Sequence, residues 1–224
     1  MRLVPRRAWG AVPPRATTPL PAAAARGLAV HYSGSAADEQ DDHANCGARV
    51  RGIQRFHMSP DPMDPTKPWF DIAYNHLFCR HGYAFEGRGF GLRSAAQGTK
   101  GGNDHYFAVC FLGNDRERRD DLTGEGRKAF ADLVLACRRR YPSATELRPH
   151  SDFFATACPG DELRAFIARD GWRDYVEPVP IPKWFWMWMR WRLSGRCGPR
   201  PAAIPWRISA WAWRRLTRLG LGDR

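Results

Sequence analysis

Seven consecutive apolar residues, Tyr106 to Leu112 (YFAVCFL), stop at Gly113-Asn114-Asp115 and constrain the fold more than any other stretch. The run is short, rich in aromatic and β-branched side chains and closed by turn formers, so it reads as a buried strand. Leu28 to His31, entered from Gly27, reads the same way. Amphipathic helices alternate with these strands. Asn45 to Met58 carries Val50, Ile53, Phe56 and His57 at three-to-four spacing, and Glu125 to Arg140 puts Phe130, Leu133, Val134 and Cys137 on one face. Glu162 to Arg169 is a last helix, with Asp161 as its expected cap. Asp71–Cys79 and Tyr83–Glu86 suggest paired strands about a tight Arg80-His81-Gly82 turn. Strands alternating with helices predict an α/β fold, a mixed central β-sheet flanked by helices.

The connections divide the chain. Residues 1–26 are Pro-, Ala- and Arg-rich and read as an N-terminal arm in which Trp9 docks on the domain. Ser33 to His43 is polar and acidic, hence a loop, and the four prolines between Ser59 and Pro68 end the preceding helix. Gly87 to Asn103 holds six glycines and reads as a long binding loop. Residues 27–175 are the expected domain and 176–224 a Pro-linked basic tail.

The chemistry concentrates in His150 to Gly160, HSDFFATACPG, where an imidazole and a thiol lie eight positions apart and Thr156 sits two before the thiol. Imidazole and thiolate are favoured zinc ligands, and a catalytic zinc site takes three protein ligands and keeps a fourth position for water. His31, at the end of its strand, is the candidate third ligand beside His150 and Cys158. His43, His57, His76, His81 and His105 read as surface or hydrogen-bonded histidines. Six dispersed cysteines without a CxxC pair read as reduced core thiols with one ligand among them.

Charge is uneven. Of a net +12, residues 183–224 hold +9, from ten Lys and Arg against one acidic residue, together with seven tryptophans. The longest apolar run there is six residues, against about 20 needed to span a bilayer. Trp206, Ala210, Trp213 and Leu216 share one helical face, and Arg207, Arg214 and Arg218 another. Such a segment suits an anionic wall polymer or membrane surface; the alternative is that its tryptophans pack on the domain. No nucleic-acid module accompanies the charge, so no nucleic-acid partner is expected. Arginine outnumbers lysine 31 to 4, as GC-rich coding produces. Prolines and arginines interrupt the N-terminus where a signal peptide needs an apolar core, so synthesis in the cytoplasm without ordinary export is expected.

Several motifs in order carry a resemblance: Arg7-Ala-Trp-Gly-Ala, Val30-His-Tyr-Ser-Gly, Val50-Arg-Gly-Ile-Gln-Arg-Phe-His-Met, Trp69-Phe-Asp-Ile-Ala-Tyr-Asn-His-Leu, Phe85-Glu-Gly-Arg-Gly-Phe-Gly, His150-Ser-Asp and Thr156-Ala-Cys-Pro-Gly. From about residue 6 to 168 the chain resembles the zinc amidases that include peptidoglycan recognition proteins and phage N-acetylmuramoyl-L-alanine amidases. The resemblance implies Zn²⁺ on His31, His150 and Cys158, and catalytic roles for Tyr74 and Thr156. It implies peptidoglycan as partner, with cleavage of the amide between N-acetylmuramic acid and L-alanine, in the manner of a phage endolysin released through a membrane lesion. Recognition without cleavage, and membrane activity carried by the tail, are the alternatives. Departures are visible. Cys110 stands where some relatives carry a glutamate, and Ser94-Ala-Ala-Gln replaces Gly-Ala-His on the substrate groove. Cys46 matches one half of a disulfide whose other position is Gln40, so that disulfide is expected to be absent. Glu86 and Arg88 read as turn stabilisers, and Tyr32 as lining either the groove or the core.

Overall fold

The computed structural model describes residues 1–34, 42–64, 66–113 and 122–176. Its elements run β1 (Arg2–Val4), β2 (Gly27–Tyr32), α1 (His43–Met58), β3 (His76–Phe78), β4 (Tyr83–Glu86), α2 (Lys100–His105), β5 (Tyr106–Phe111), α3 (Gly124–Arg140), β6 (Glu146–Pro149) and α4 (Asp161–Ala168). Short 3-10 turns cover Arg6–Trp9, His150–Asp152 and Gly171–Tyr175. The six strands form one sheet in the order β1-β4-β3-β5-β2-β6. Only β3 and β4 are antiparallel; the other neighbours are parallel. The chain is thus an α/β protein with a mixed central sheet flanked by helices.

Period-two alternation divides the core between the two faces. On β5, Phe107, Val109 and Phe111 join α3 and α4 through Phe130, Leu133, Val134, Leu163 and Phe166. The intervening Cys110, with Leu112 just beyond the strand, faces the other way, toward Trp9, Cys46 and Val50. An all-apolar strand is what a sheet covered on both faces requires.

The first residues are tied into this architecture. β1 pairs with β4 at the sheet edge, and Trp9, 1% exposed, donates its indole N–H to the Glu86 carbonyl at 2.9 Å. Arg6 forks onto Asp71 at 2.9 and 3.1 Å and onto the Gly87 carbonyl at 2.6 Å. Gln54 of α1 donates to the same carboxylate at 2.7 Å. One buried acid therefore joins the N-terminal segment, α1 and the loop entering β3.

Some boundaries differ from the sequence expectation. Asp71 to Asn75 is loop: it reaches β5 through a single backbone bond, Asn75 N to the Ala108 carbonyl at 2.9 Å, and the Asp71 and Asn75 side chains tie it to Arg6 and to backbone groups. The Gly-rich segment contains most of α2, whose first turn is capped by Thr99 accepting from Gly102 N at 3.2 Å. Gly160, not Asp161, occupies the N-cap of α4, and Asp161 is the first residue of the helix. The edge strand β6, Glu-Leu-Arg-Pro, has no apolar alternation to announce it. Residues 177–224, with the Trp- and Arg-rich tail, lie outside the described residues. Among those described, no helix is long and apolar enough to cross a membrane.

Candidate metal centre

Parallel strands β2 and β6 lie side by side with Val30 opposite Pro149, so the residues that follow, His31 and His150, emerge together at the carboxyl edge of the sheet. Open α/β sheets build sites at this edge. Cys158 arrives on the loop before α4, and the loop is pinned at both ends. Ser151 N donates to the Cys158 carbonyl at 3.2 Å. Arg164 of α4 bonds Ser151 Oγ and donates to the Ala157 carbonyl at 3.1 Å.

The three candidate ligands converge, each offering an atom within 4.8 Å of the others. Cys158 Sγ lies 3.9 Å from His31 Nδ1, and the two imidazole centroids are 4.3 Å apart. A tetrahedral zinc site has sulfur and nitrogen about 3.6 Å apart, so the cluster is close to the size such an ion needs. His31 Nε2 and His150 Nε2 are buried without hydrogen-bond partners. Native interiors seldom leave such atoms unpaired, and both belong to rings that converge with the Cys158 thiol. Burial, and for His31 also the neighbouring His150, holds the pKa of both imidazoles below the ordinary value. They are neutral, the form that ligates. Burial pushes the Cys158 thiol up to about 11, opposed by the Tyr32 N–H, 3.3 Å from the sulfur, and by Arg164. A divalent cation would reverse that balance, because its charge stabilises the thiolate more than burial penalises it. The donor set therefore fits zinc.

Tyr74 stands next to the cluster, its ring 5.4 Å from that of His31. Burial, with Cys110 and Cys158 nearby, raises its phenol well above the ordinary value, so it stays protonated. The loop holding it is fixed by Asn75, which is fully buried, donates to the Gly89 and Leu92 carbonyls at 2.7 Å and accepts from Ala108 N at 2.7 Å. Arg88 N donates to the Tyr74 carbonyl at 2.9 Å, and Arg88 Nε reaches the Ile72 carbonyl at 2.6 Å. A Cβ on Gly87 would lie 2.3 Å from the Tyr74 carbonyl oxygen, a distance no side chain tolerates. Thr156 is half-buried, and its hydroxyl oxygen accepts from Cys158 N at 3.2 Å, shaping the ligand loop.

Other parts of the site leave little trace in the sequence. A hydrogen bond to the Gln97 backbone holds His150. Ser94 and Gln97 are fully buried, with Gln97 donating to the Tyr106 carbonyl at 3.0 Å and accepting from Ser94 at 2.8 Å. The Ser94-Ala-Ala-Gln97 segment thus supports a ligand from behind. Cys110, in register with His31, is buried and hydrogen-bonded with Tyr74. His57 accepts from Ala73 N at 3.1 Å and takes no part in the cluster.

No family model matches the chain. It is 32% identical over 165 residues to the N-acetylmuramoyl-L-alanine amidase of Homo sapiens, a match covering 71% of this chain and 26% of that protein. The chain thus spans about a quarter of the length of that relative. It is 28% identical over 178 residues to peptidoglycan recognition protein 1 of Mus musculus, covering 78% of this chain and 90% of the relative. Among solved structures, Drosophila peptidoglycan recognition protein SD superimposes with a TM-score of 0.63 at 27% identity, covering 75% of this chain and 93% of that one.

Proposed function

Because the chain belongs to the family of peptidoglycan recognition proteins and N-acetylmuramoyl-L-alanine amidases, we propose that it is a zinc-dependent hydrolase acting on peptidoglycan. The bond cut is the amide joining N-acetylmuramic acid to L-alanine. The observation that carries this reading is the convergence of two neutral imidazoles and one thiol beside a protonated tyrosine. The identity to an amidase and the near-complete match to a peptidoglycan recognition protein support the substrate. The excess of arginine over lysine is what a GC-rich bacterial or phage host would produce.

When bound, a zinc ion supplies a Lewis acid and brings the pKa of a coordinated water toward about 7. His31 and His150 would hold it as neutral donors, and Cys158 would contribute the single negative charge. Tyr74 keeps its proton at neutral pH and donates it in a hydrogen bond to the oxyanion that develops on the substrate carbonyl. Thr156 holds the loop that presents Cys158, and its O–H is a second candidate donor to the same oxyanion. The amide C–N bond breaks, water adds OH to the acyl carbon, and the L-alanine nitrogen takes up a proton and leaves as an amine.

Recognition without cleavage is the second reading, favoured by the 90% coverage of peptidoglycan recognition protein 1 against a quarter of the amidase. Digestion of purified sacculi with mass analysis of the soluble products separates the two. Free stem peptides with an L-alanine amino terminus are expected, and they should vanish after zinc is stripped and return when it is restored. Binding to sacculi with no peptide release would establish the recognition reading instead.

A further inference from the structure

A second cluster of metal-ligating side chains lies outside the site just described and shares no residue with it. His43 opens α1 and Cys46 follows one turn later, a spacing that puts both on one face of the helix. Cys79 directly follows β3 and His81 lies two positions on, in the turn to β4. Each of the four offers one ligand atom, all within 4.8 Å of one another. Cys46 Sγ is 3.5 Å from His81 Nδ1, and Cys79 Sγ is 3.9 Å from His43 Nδ1. The sulfur-to-nitrogen edge of a tetrahedral zinc site, about 3.6 Å, falls between these two distances.

Cys46 and Cys79 are 1% exposed, are not joined in a disulfide, and have His43 and His81 half-buried over them. Two thiolates and two imidazoles form a donor set that selects zinc, and four protein ligands leave no position for water or substrate. The surroundings are already rigid. His43 stacks on Tyr83 with centroids 3.5 Å apart, Asp42 caps the helix by accepting from Ala44 N at 3.2 Å, and Gly82 N closes the hairpin onto the Cys79 carbonyl at 3.1 Å.

We propose that His43, Cys46, Cys79 and His81 form a closed, structural Zn²⁺ centre that pins the first turn of α1 to the β3–β4 hairpin. Binding exchanges the two thiol protons for the metal and releases them to solvent. The centre is independent of the amidase reading, since its ligands touch neither Tyr74 nor Cys158 in any described hydrogen bond.

The test is zinc content of the full-length chain by elemental analysis, on wild type, Cys158→Ala and the double variant Cys46→Ser/Cys79→Ser. Two zinc ions per chain are expected in wild type and one in each variant. A Cys158→Ala protein with none overturns the proposal. If instead wild type and Cys158→Ala each hold one, the second centre stands and the first metal assignment fails. Should the double variant fail to fold, alkylation of Cys158→Ala mapped by peptide decides. Zinc is expected to slow modification of Cys46 and Cys79 by at least about tenfold, and a chelator to restore it. A rate indifferent to zinc, or recovery of a Cys46–Cys79 disulfide from protein purified under zinc, overturns the proposal.

Discussion

Tyr74 and His76 stand two positions apart on the approach to β3, yet protonation serves them in opposite ways. The Tyr74 phenol keeps its proton because burial raises its pKa, which suits a donor aimed at developing charge. Tyr74→Phe should leave zinc content unchanged and lower turnover on soluble muropeptide by about 10²-fold or more. Turnover within about twofold of wild type would reduce Tyr74 to a wall of the groove. His76 is kept without its proton: burial brings it down to about 4, its Nδ1 has no hydrogen-bond partner, and its ring packs 4.2 Å from that of Phe90. The unfolded chain takes up this proton near pH 6.5 and the folded chain only near 4. The stability contributed by His76 is therefore full above 6.5, falls as the pH drops between these values and changes no further below 4, with about 2 kcal/mol lost by pH 5. His76→Phe removes this contribution, so urea unfolding at pH 7 and pH 5 should show wild type losing about 2 kcal/mol more than the variant. Equal losses would mean the His76 environment opens to water. At this scale the three candidate ligands His31, His150 and Cys158 and the neighbouring Tyr74 were legible, because all four sit in motifs. Their supports were not, since the Gln97 and Tyr32 backbone groups can be supplied by any residue. His43 and His81 read as ordinary surface histidines because each ligand pair mixes a histidine with a cysteine, and the two pairs meet only in the folded sheet.

Among the elements, the apolar strands and long helices followed their periodicity, and β2, α1, β5 and α3 begin or end within two residues of expectation. What escaped was structure held by side chain to backbone bonds. The stretch from Asp71 to Asn75 looks strand-like in composition, but it is held by single bonds, three of them made by the Asn75 side chain, rather than by a continuous ladder. The turn after β4 is packed against that stretch so closely that Gly87 has no room for a methyl group. Gly87→Ala should therefore push the Tyr74 carbonyl aside. The expected result is retained zinc and a turnover loss of about 10-fold or more, as a displacement near 1 Å produces in a positioned catalytic group. Wild-type turnover in this variant would show that the loop yields without moving Tyr74.

For the whole molecule, the basic tail is the part whose role is argued from sequence alone. Every proposed catalytic residue lies at or before Cys158, so deleting residues 183–224 should leave hydrolysis of a small soluble muropeptide nearly unchanged. Attack on intact walls should fall, and wild-type wall binding should weaken with salt as charges are screened over about 10 Å at 0.1 M. Loss of soluble-substrate turnover on truncation would show instead that the tail completes the domain. The strand order has a temporal meaning as well. β2 is made before its neighbours β5 and β6, which follow by about 80 and 120 positions, and His31 meets Cys158 across 127. Parallel pairing across such separations is slow, since the entropy of closing each loop is lost before any contact repays it. Until the ribosome has passed His150 and Cys158, which lie only eight positions apart, a nascent chain holds His31 alone of the three candidate ligands, so the proposed centre is completed in a single late step rather than assembled gradually during translation.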